Sequence, residues 1–112
     1  MNNILIAEDE SRIAAFIEKG LQKNGFGTQV AADGEQALLM MQSYKFDLLL
    51  LDLGLPIKDG WTVLKELRNQ GHKIPIIVVS AYSDVDRNID MTDCVTKPFS
   101  FQDLLIRIKS YL

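Results

Sequence analysis

The stretch LLLLDLGLPIKDG, residues 48–60, is the strongest indication of fold in this chain of 112 residues. Four consecutive leucines predict a strand that is apolar on both faces, which is typical of a parallel sheet covered by helices on both sides. The apolar run ends at Asp52, and the glycines and proline that follow indicate a connection before the next helix. A buried central strand is therefore predicted to deliver one carboxylate to an edge of the sheet.

Apolar runs and helical patterns alternate on both sides of this strand. Residues 4–7 (ILIA) and 76–79 (IIVV) are further unbroken apolar runs, whereas residues 27–31 (GTQVA) and 94–96 (CVT) are predicted as edge strands. Alternating strands and helices predict a parallel sheet with right-handed crossovers. We predict one α/β domain over residues 1–112, a flavodoxin-like doubly wound five-stranded parallel sheet of order 2-1-3-4-5 with helices on both faces.

The predicted helices are amphipathic and have recognisable starts. One helix is predicted to begin near Asp33, and another is predicted to begin after Asp59, which is a suitable N-cap residue. The polar residues 84–90 leave room only for a shortened helix between the fourth and fifth strands. The first helix is predicted to turn four apolar residues towards the core: Ile13, Phe16, Ile17 and Leu21.

Composition excludes several classes of protein. Hydrophobic residues make up 47% and charged residues 24% of the chain, which is typical of a globular domain. The net charge of −3 gives no support for nucleic-acid binding by these residues. A single cysteine, Cys94, cannot form an internal disulfide, and the first apolar run is too short for a signal peptide or a membrane span. We expect a cytoplasmic domain with no membrane contact.

Chemically active side chains follow the predicted strands. Glu8 and Asp9 follow the first strand, Asp52 the third, Ser80 the fourth and Lys97 the fifth. In the predicted order the first and third strands are neighbours at the switch point, where ligands bind outside the carboxyl ends of the strands. Each residue alone has an ordinary explanation as a helix cap or turn residue. Because all of these side chains are predicted to lie at the same edge of the sheet, we predict that they share a pocket.

Carboxylates from adjacent strands repel each other, and a hard divalent cation relieves that repulsion. Mg²⁺ prefers oxygen ligands, so we predict Asp9 and Asp52 as direct ligands and Glu8 as a ligand through water. Asp52 can then attack phosphorus as a carboxylate nucleophile and form an aspartyl phosphate. Lys97 and the Ser80 hydroxyl are predicted to hold the other phosphoryl oxygens.

With these residues in this order, the chain resembles a response-regulator receiver domain of bacterial two-component signal transduction over essentially its whole length. The resemblance is carried by ILIAEDE (residues 4–10), LDLGLP (51–56), DG (59–60), SA (80–81) and KPF (97–99). It implies that Asp52 is the phosphoacceptor, and that Asp9, Asp52 and the backbone carbonyl of Gly54 ligate Mg²⁺. It also implies a cis peptide bond before Pro98.

The resemblance also implies partners and limits on activity. The phosphoryl donor would be a sensor histidine kinase, a phosphotransfer protein or a small acyl phosphate. The domain would catalyse only its own phosphoryl transfer and slow autodephosphorylation. The last predicted helix resembles that of receivers joined to winged-helix DNA-binding domains, which implies a transcription regulator with an effector domain after residue 112. A homodimer is compatible with this class, and the sequence leaves the dimer state open. A stand-alone receiver is the alternative.

Two features depart from the family pattern. Receivers commonly carry Tyr or Phe three positions before the lysine, where this chain has Cys94. The stretch between Ser80 and Lys97 is also shorter than is usual in the family. We therefore expect an atypical output face, with a degenerate receiver that acts as a phosphorylation-independent interaction module as the alternative function.

Two other classes of protein fit the pattern less well. A phosphatase of the haloacid dehalogenase type needs a second acid two residues after its aspartate nucleophile, and that position is Gly54. A flavin- or nucleotide-binding module needs a Gly- or Ser/Thr-rich phosphate loop after the first strand. Glu8, Asp9 and Glu10 would repel a metal-free phosphate there.

Overall fold

The structure, a computed structural model, describes residues 2–81 and 91–112. The predicted helix at residues 84–90 lies outside the described residues. In the described part of the chain, no helix has the length and apolar content needed to cross a membrane. The elements are β1 (Asn3–Ala7), α1 (Ser11–Lys23), β2 (Gly27–Ala31), α2 (Gly34–Ser43), β3 (Leu48–Asp52), α3 (Gly60–Asn69), β4 (Ile76–Ser80), β5 (Asp93–Thr96) and α4 (Phe101–Tyr111).

The strands form one parallel sheet of five strands in the order β2-β1-β3-β4-β5, which confirms the predicted doubly wound fold. Every residue of β3 is buried, as expected for the central strand. In the sheet register Ala7 pairs with Leu51, and Asp52 pairs with Val79. The carboxyl ends of β1, β3 and β4 therefore meet at the same edge.

The leucines of β3 divide between two cores, because successive side chains of a strand point to opposite faces. Leu49 and Leu51 pack on the face covered by α2 and α3. Leu48 and Leu50 pack on the face covered by α1 and α4. Burying each of these side chains contributes about 1.5–3 kcal/mol, so the apolar run holds the strand in the centre of the sheet.

The predicted N-cap at Asp59 is confirmed, and so is the predicted start of a helix near Asp33, which is also an N-cap. The Asp33 carboxylate accepts a hydrogen bond from the backbone N–H of Gln36 at 2.7 Å, at the start of α2. The Asp59 carboxylate accepts one from the backbone N–H of Thr62 at 2.9 Å, at the start of α3. Each cap satisfies a backbone donor that has no partner within its helix.

The prediction that Phe16 faces the core is wrong. Phe16 is 56% exposed, and its ring meets the edge of the Phe101 ring with the centroids 5.9 Å apart. The buried residues of α1 are Ala14, Ile17 and Leu21. Each residue turns a helix by about 100°, which places Phe16 outside the stripe that these three residues define.

The connection between β3 and α3 contains a strained turn. Ile57 has a φ of 69°, and the backbone N–H of Lys58 donates to the carbonyl oxygen of Pro56 at 2.7 Å to close a three-residue turn around it. The left-handed region costs a β-branched residue about 1–2 kcal/mol. The backbone N–H of Gly34 also donates to the Pro56 carbonyl, at 3.3 Å, so the start of α2 holds this turn in place.

Candidate metal centre at the carboxyl edge of the sheet

The structure brings the predicted residues to one edge of the sheet. Glu8 and Asp9 follow β1, Asp52 ends β3, Ser80 ends β4 and Lys97 follows β5. Glu8 is 3% exposed, Asp52 8% and Ser80 1%, whereas Asp9 is exposed. The pocket therefore has a buried floor and one carboxylate open to solvent.

Lys97 links two carboxylates that come from neighbouring strands. Its Nζ donates to Glu8 Oε1 at 2.8 Å and to Asp52 Oδ2 at 3.3 Å. These partners lie 89 and 45 residues away in the sequence, so only the fold brings them together. An ammonium between the two carboxylates offsets their mutual repulsion and the cost of burying them.

The backbone holds the remaining carboxylate oxygens. Asp52 Oδ1 accepts a hydrogen bond from the backbone N–H of Gly54 at 3.1 Å. Glu8 Oε2 accepts one from the backbone N–H of Glu10 at 3.1 Å. Each buried carboxylate thus has one oxygen towards Lys97 and the other on a backbone donor, which fixes the orientation of both groups before any ligand binds.

The pocket shifts the pKa values of its charged groups. Burial raises the pKa of Glu8, and the hydrogen bonds from Lys97 and from the Glu10 backbone only partly oppose this effect. Burial acts to lower the pKa of Lys97, but its hydrogen bond to Glu8 and the charge of Asp52 outweigh burial and raise that pKa. Lys97 therefore stays an ammonium, while Glu8 takes up a proton more readily than an exposed glutamate does.

The donor set fits Mg²⁺. One carboxylate oxygen each from Glu8, Asp9 and Asp52 lie within 4.8 Å of one another. All three donors are oxygens, which are the ligands that hard divalent cations prefer, and the exposed Asp9 side leaves room for the waters that Mg²⁺ retains.

Two backbone features shape the edges of the pocket. The backbone N–H of Lys97 donates to the Ser80 carbonyl oxygen at 2.7 Å, and the Lys97–Pro98 peptide bond is cis, as the resemblance implies. At the other side, a Cβ atom on Gly60 would collide with the backbone of Asp52 and Leu53. The start of α3 can approach the end of β3 this closely only because residue 60 is a glycine.

Sequence reasoning missed an open groove beside the pocket. The groove has a volume of about 560 Å³, and three charged residues (Glu10, Arg12 and Lys97) line it together with five apolar ones: Ile13, Phe16, Ala81, Pro98 and Phe99. Its walls are predominantly apolar. The periodicity of α1 assigned Phe16 to the core, so no pattern in the sequence indicated this surface.

A doubly wound parallel sheet of order 2-1-3-4-5, with a pocket at its carboxyl edge, defines the flavodoxin-like class of α/β domains. The family model described as "Response regulator receiver domain" matches residues 4–109. The chain therefore belongs to the family of response regulator receiver domains, which are phosphorylation-dependent signalling modules and not classical enzymes. The resemblance found in the sequence is confirmed.

Curated relatives are transcriptional regulators. The transcriptional activator protein IrlR of Burkholderia pseudomallei is 40% identical over 114 aligned positions, which cover 97% of this chain and 49% of that protein. The transcriptional regulatory protein CpxR of Klebsiella pneumoniae is 39% identical over 117 positions, which cover 100% of this chain and 50% of that protein. The chain spans about half the length of these relatives.

Solved structures show the same fold. The receiver domain of the Francisella response regulator 1452 has a TM-score of 0.93 and 34% identity, over 99% of this chain and 96% of that one. The response regulator TrrA of Thermotoga maritima, solved in complex with Mg²⁺-BeF, has a TM-score of 0.92 and 31% identity over 100% of both chains. In this chain, the acidic cluster formed by Glu8, Asp9 and Asp52 offers the oxygen ligands that a hard divalent cation prefers.

Proposed function

We propose that this chain is a phosphorylation-dependent switch in which Asp52 accepts a phosphoryl group from a sensor histidine kinase or a phosphotransfer protein. The observation that carries the proposal is the buried contact of Lys97 with Glu8 and Asp52, at 2.8 and 3.3 Å, beside the exposed Asp9. A purely structural ion pair needs one carboxylate. This pocket brings two carboxylates to one ammonium and adds the Asp9 carboxylate beside them, which is an arrangement suited to a divalent ion and a phosphoryl group.

We assign the metal site to Asp9, Asp52 and the backbone carbonyl of Gly54, with Glu8 acting through water. Mg²⁺ bound there supplies positive charge that offsets the negative charge of the carboxylates and the phosphoryl oxygens. The Gly54 N–H already holds Asp52 Oδ1, so the protein itself sets the direction from which Asp52 meets phosphorus.

The transfer step uses side chains that are already in place. A carboxylate oxygen of Asp52 forms a bond to phosphorus as the P–N bond of the donor's phosphohistidine breaks, and the imidazole leaves with that electron pair. Lys97, now 3.3 Å from Asp52 Oδ2, binds one phosphoryl oxygen, and the Ser80 hydroxyl binds another. When water attacks the same phosphorus, the bond between phosphorus and the Asp52 oxygen breaks, inorganic phosphate and a proton leave, and the carboxylate is restored; this is the slow autodephosphorylation expected of the domain.

The apolar groove supports a protein donor. It runs from Phe16 on α1 to Lys97, so a donor packed into it would meet the pocket directly. Burying the 56% exposed Phe16 ring against an apolar surface of the donor would contribute to binding. A small acyl phosphate could reach Asp52 without this contact.

We propose that the chain is the receiver part of a cytoplasmic transcription regulator that can form a homodimer. Support comes from the relatives, which are named as transcriptional regulators and are about twice as long as this chain. The second half of such a protein would supply the DNA-binding domain.

The output mechanism of this chain is proposed to be atypical. Cys94 is half-buried in β5 and stands opposite Val78, at a position where receivers commonly have an aromatic ring. The alignment with CpxR spans 117 positions for 112 residues, so at least five positions have no residue in this chain. Both features support a changed output face. They also keep the phosphorylation-independent interaction module as the alternative function.

Intact mass spectrometry after incubation with acetyl phosphate and Mg²⁺ tests the switch. The wild type should gain one phosphoryl group, and chelating the metal should abolish the gain. Asp52→Asn should gain none, because the amide is not a nucleophile of this kind. Asp103→Asn, which removes an exposed carboxylate on α4, is the matched control and should be phosphorylated like the wild type. A wild type that stays unmodified would exclude the switch and favour the interaction module.

A further inference from the structure

Ile57 is an apolar residue whose side chain does not pack in the core of the domain. Its side chain is 75% exposed, the largest exposed fraction among the large hydrophobic residues that the structure describes. Its φ of 69° lies in the left-handed region, which β-branched residues avoid and which Gly and Asn tolerate. Neither core packing nor backbone preference accounts for an isoleucine at this position.

The turn around Ile57 is held on both sides. The Pro56 carbonyl accepts hydrogen bonds from the backbone N–H groups of Lys58 at 2.7 Å and of Gly34 at 3.3 Å. A Cβ on Gly34 would collide with the Lys58 carbonyl, so α2 packs directly on the turn. The Lys58 ammonium also pairs with Glu66 of α3 at 3.1 Å. The surrounding structure therefore presents Ile57 at a fixed position.

This fixed position belongs to the loop that surrounds the phosphoacceptor. The loop starts where β3 ends at Asp52, and the Gly60 N–H closes it by donating to the Leu53 carbonyl at 3.0 Å. Its turn rests on the α2 side of the sheet, whereas the groove that contains Phe16 lies on the α1 side. The two exposed apolar features thus flank the carboxyl edge from opposite faces.

A protein that carries phosphohistidine to Asp52 has to cover this edge. We propose that Ile57 is a specificity-determining contact for the phosphodonor protein, which places an apolar side chain against it; this inference rests on the proposed function. Strain that the surroundings hold in place is commonly found at sites of binding and switching. A rigid apolar contact loses little conformational entropy on binding, which is an advantage at an interface.

The test compares three variants with two donors. Ile57→Asn removes the apolar side chain and relaxes the backbone, Ile57→Leu keeps an apolar side chain, and Leu39→Asn changes an equally apolar residue, 62% exposed, on α2. The donors are acetyl phosphate and the phosphorylated cytoplasmic fragment of a sensor histidine kinase, taken from a panel as the one that phosphorylates the wild type fastest.

We expect Ile57→Asn to raise the melting temperature by about 2–5 °C, because strain is relieved. Its rate of phosphorylation by the kinase fragment should nevertheless fall about tenfold. Ile57→Leu should restore the rate to within about twofold, and Leu39→Asn should leave it unchanged. Acetyl phosphate should modify all four proteins at the same rate.

Several outcomes would overturn the assignment. They are an unchanged kinase rate in Ile57→Asn, a loss of rate accompanied by a lower melting temperature, and a wild type that acetyl phosphate modifies but no fragment of the panel does. Failure of acetyl phosphate to modify the wild type would instead remove the proposed function itself, so the two failures are distinguishable.

Discussion

Two clusters of charged residues in this domain have similar hydrogen-bond lengths but different surroundings. In the pocket, Lys97 lies 2.8 Å from Glu8, and the two side chains are 17% and 3% exposed. On the surface formed by β5 and α4, Arg107 lies 2.9 Å from Asp93, and these side chains are 37% and 21% exposed. Distance alone would give the two pairs equal weight. The exposed pair is expected to contribute less to stability, since its charges interact through water, which has a high dielectric constant.

The two clusters also differ in how their carboxylates could be stabilised if the cation were removed. If Arg107 were removed, water could solvate Asp93 and the nearby Asp103 with little rearrangement. If Lys97 were removed, Glu8 and Asp52 would face each other with little access to water. The pocket therefore makes its charges depend on a cation, which is a property required of a metal and phosphoryl site.

The largest expected effect is that of Lys97→Met on stability. Without metal, this change should lower the free energy of unfolding at neutral pH by about 2–4 kcal/mol, because it leaves two buried carboxylates without a cation. Arg107→Met, the matched control on the surface, should cost less than about 1 kcal/mol. Urea unfolding in the presence of a chelator measures both. Equal losses in the two variants would mean that burial does not separate the clusters.

We expect salt to weaken the ion pair of the surface cluster more than that of the pocket. This effect should be smaller than the loss of stability in Lys97→Met. A double-mutant cycle on Arg107 and Asp93 should give a coupling energy of about 0.5–1 kcal/mol at low salt that falls towards zero in 1 M NaCl. The cycle on Lys97 and Glu8 should keep more than half of its coupling energy, because mobile ions screen buried pairs less. A pocket coupling that disappears in salt would show that water enters the pocket freely.

The fold could be predicted from the sequence wherever a single physical requirement determines the local structure. The four leucines of β3 have to be buried on both faces, which places that strand in the centre of the sheet. Asp33 and Asp59 satisfy local backbone donors, so their role depends on neighbours only three residues away. Phe16 shows the limit of this reasoning. Helical spacing predicts which residues share a side, but how wide a stripe is covered depends on what packs against the helix.

The sequence predicted which residues belong to the site, but it did not predict the contacts between them. Strand ends placed Glu8, Asp52 and Lys97 at one edge, because parallel strands all end on the same side. The sequence could not show that Lys97 bonds both carboxylates, since the partners are 89 and 45 residues apart. The strained backbone of Ile57 has no sequence signal either, because isoleucine disfavours the conformation that the packed loop imposes.

The smallest expected effect is that of Tyr111→Phe in the surface cluster. The Tyr111 hydroxyl donates to Asp93 Oδ2 at 3.0 Å, and this hydrogen bond, together with burial and the charge of Asp93, raises the pKa of Tyr111. The protonated phenol is thus favoured in the folded state, so its stabilisation is complete below the unfolded pKa of about 10 and is lost as pH rises through the folded value. At pH 8 the variant should unfold at slightly less urea than the wild type, with a smaller shift than that of Arg107→Met. Well above the folded pKa the difference should disappear, because an ionised phenolate repels Asp93. A difference that is the same at pH 8 and in strong alkali would show that the hydrogen bond of the protonated hydroxyl to Asp93 does not carry the effect.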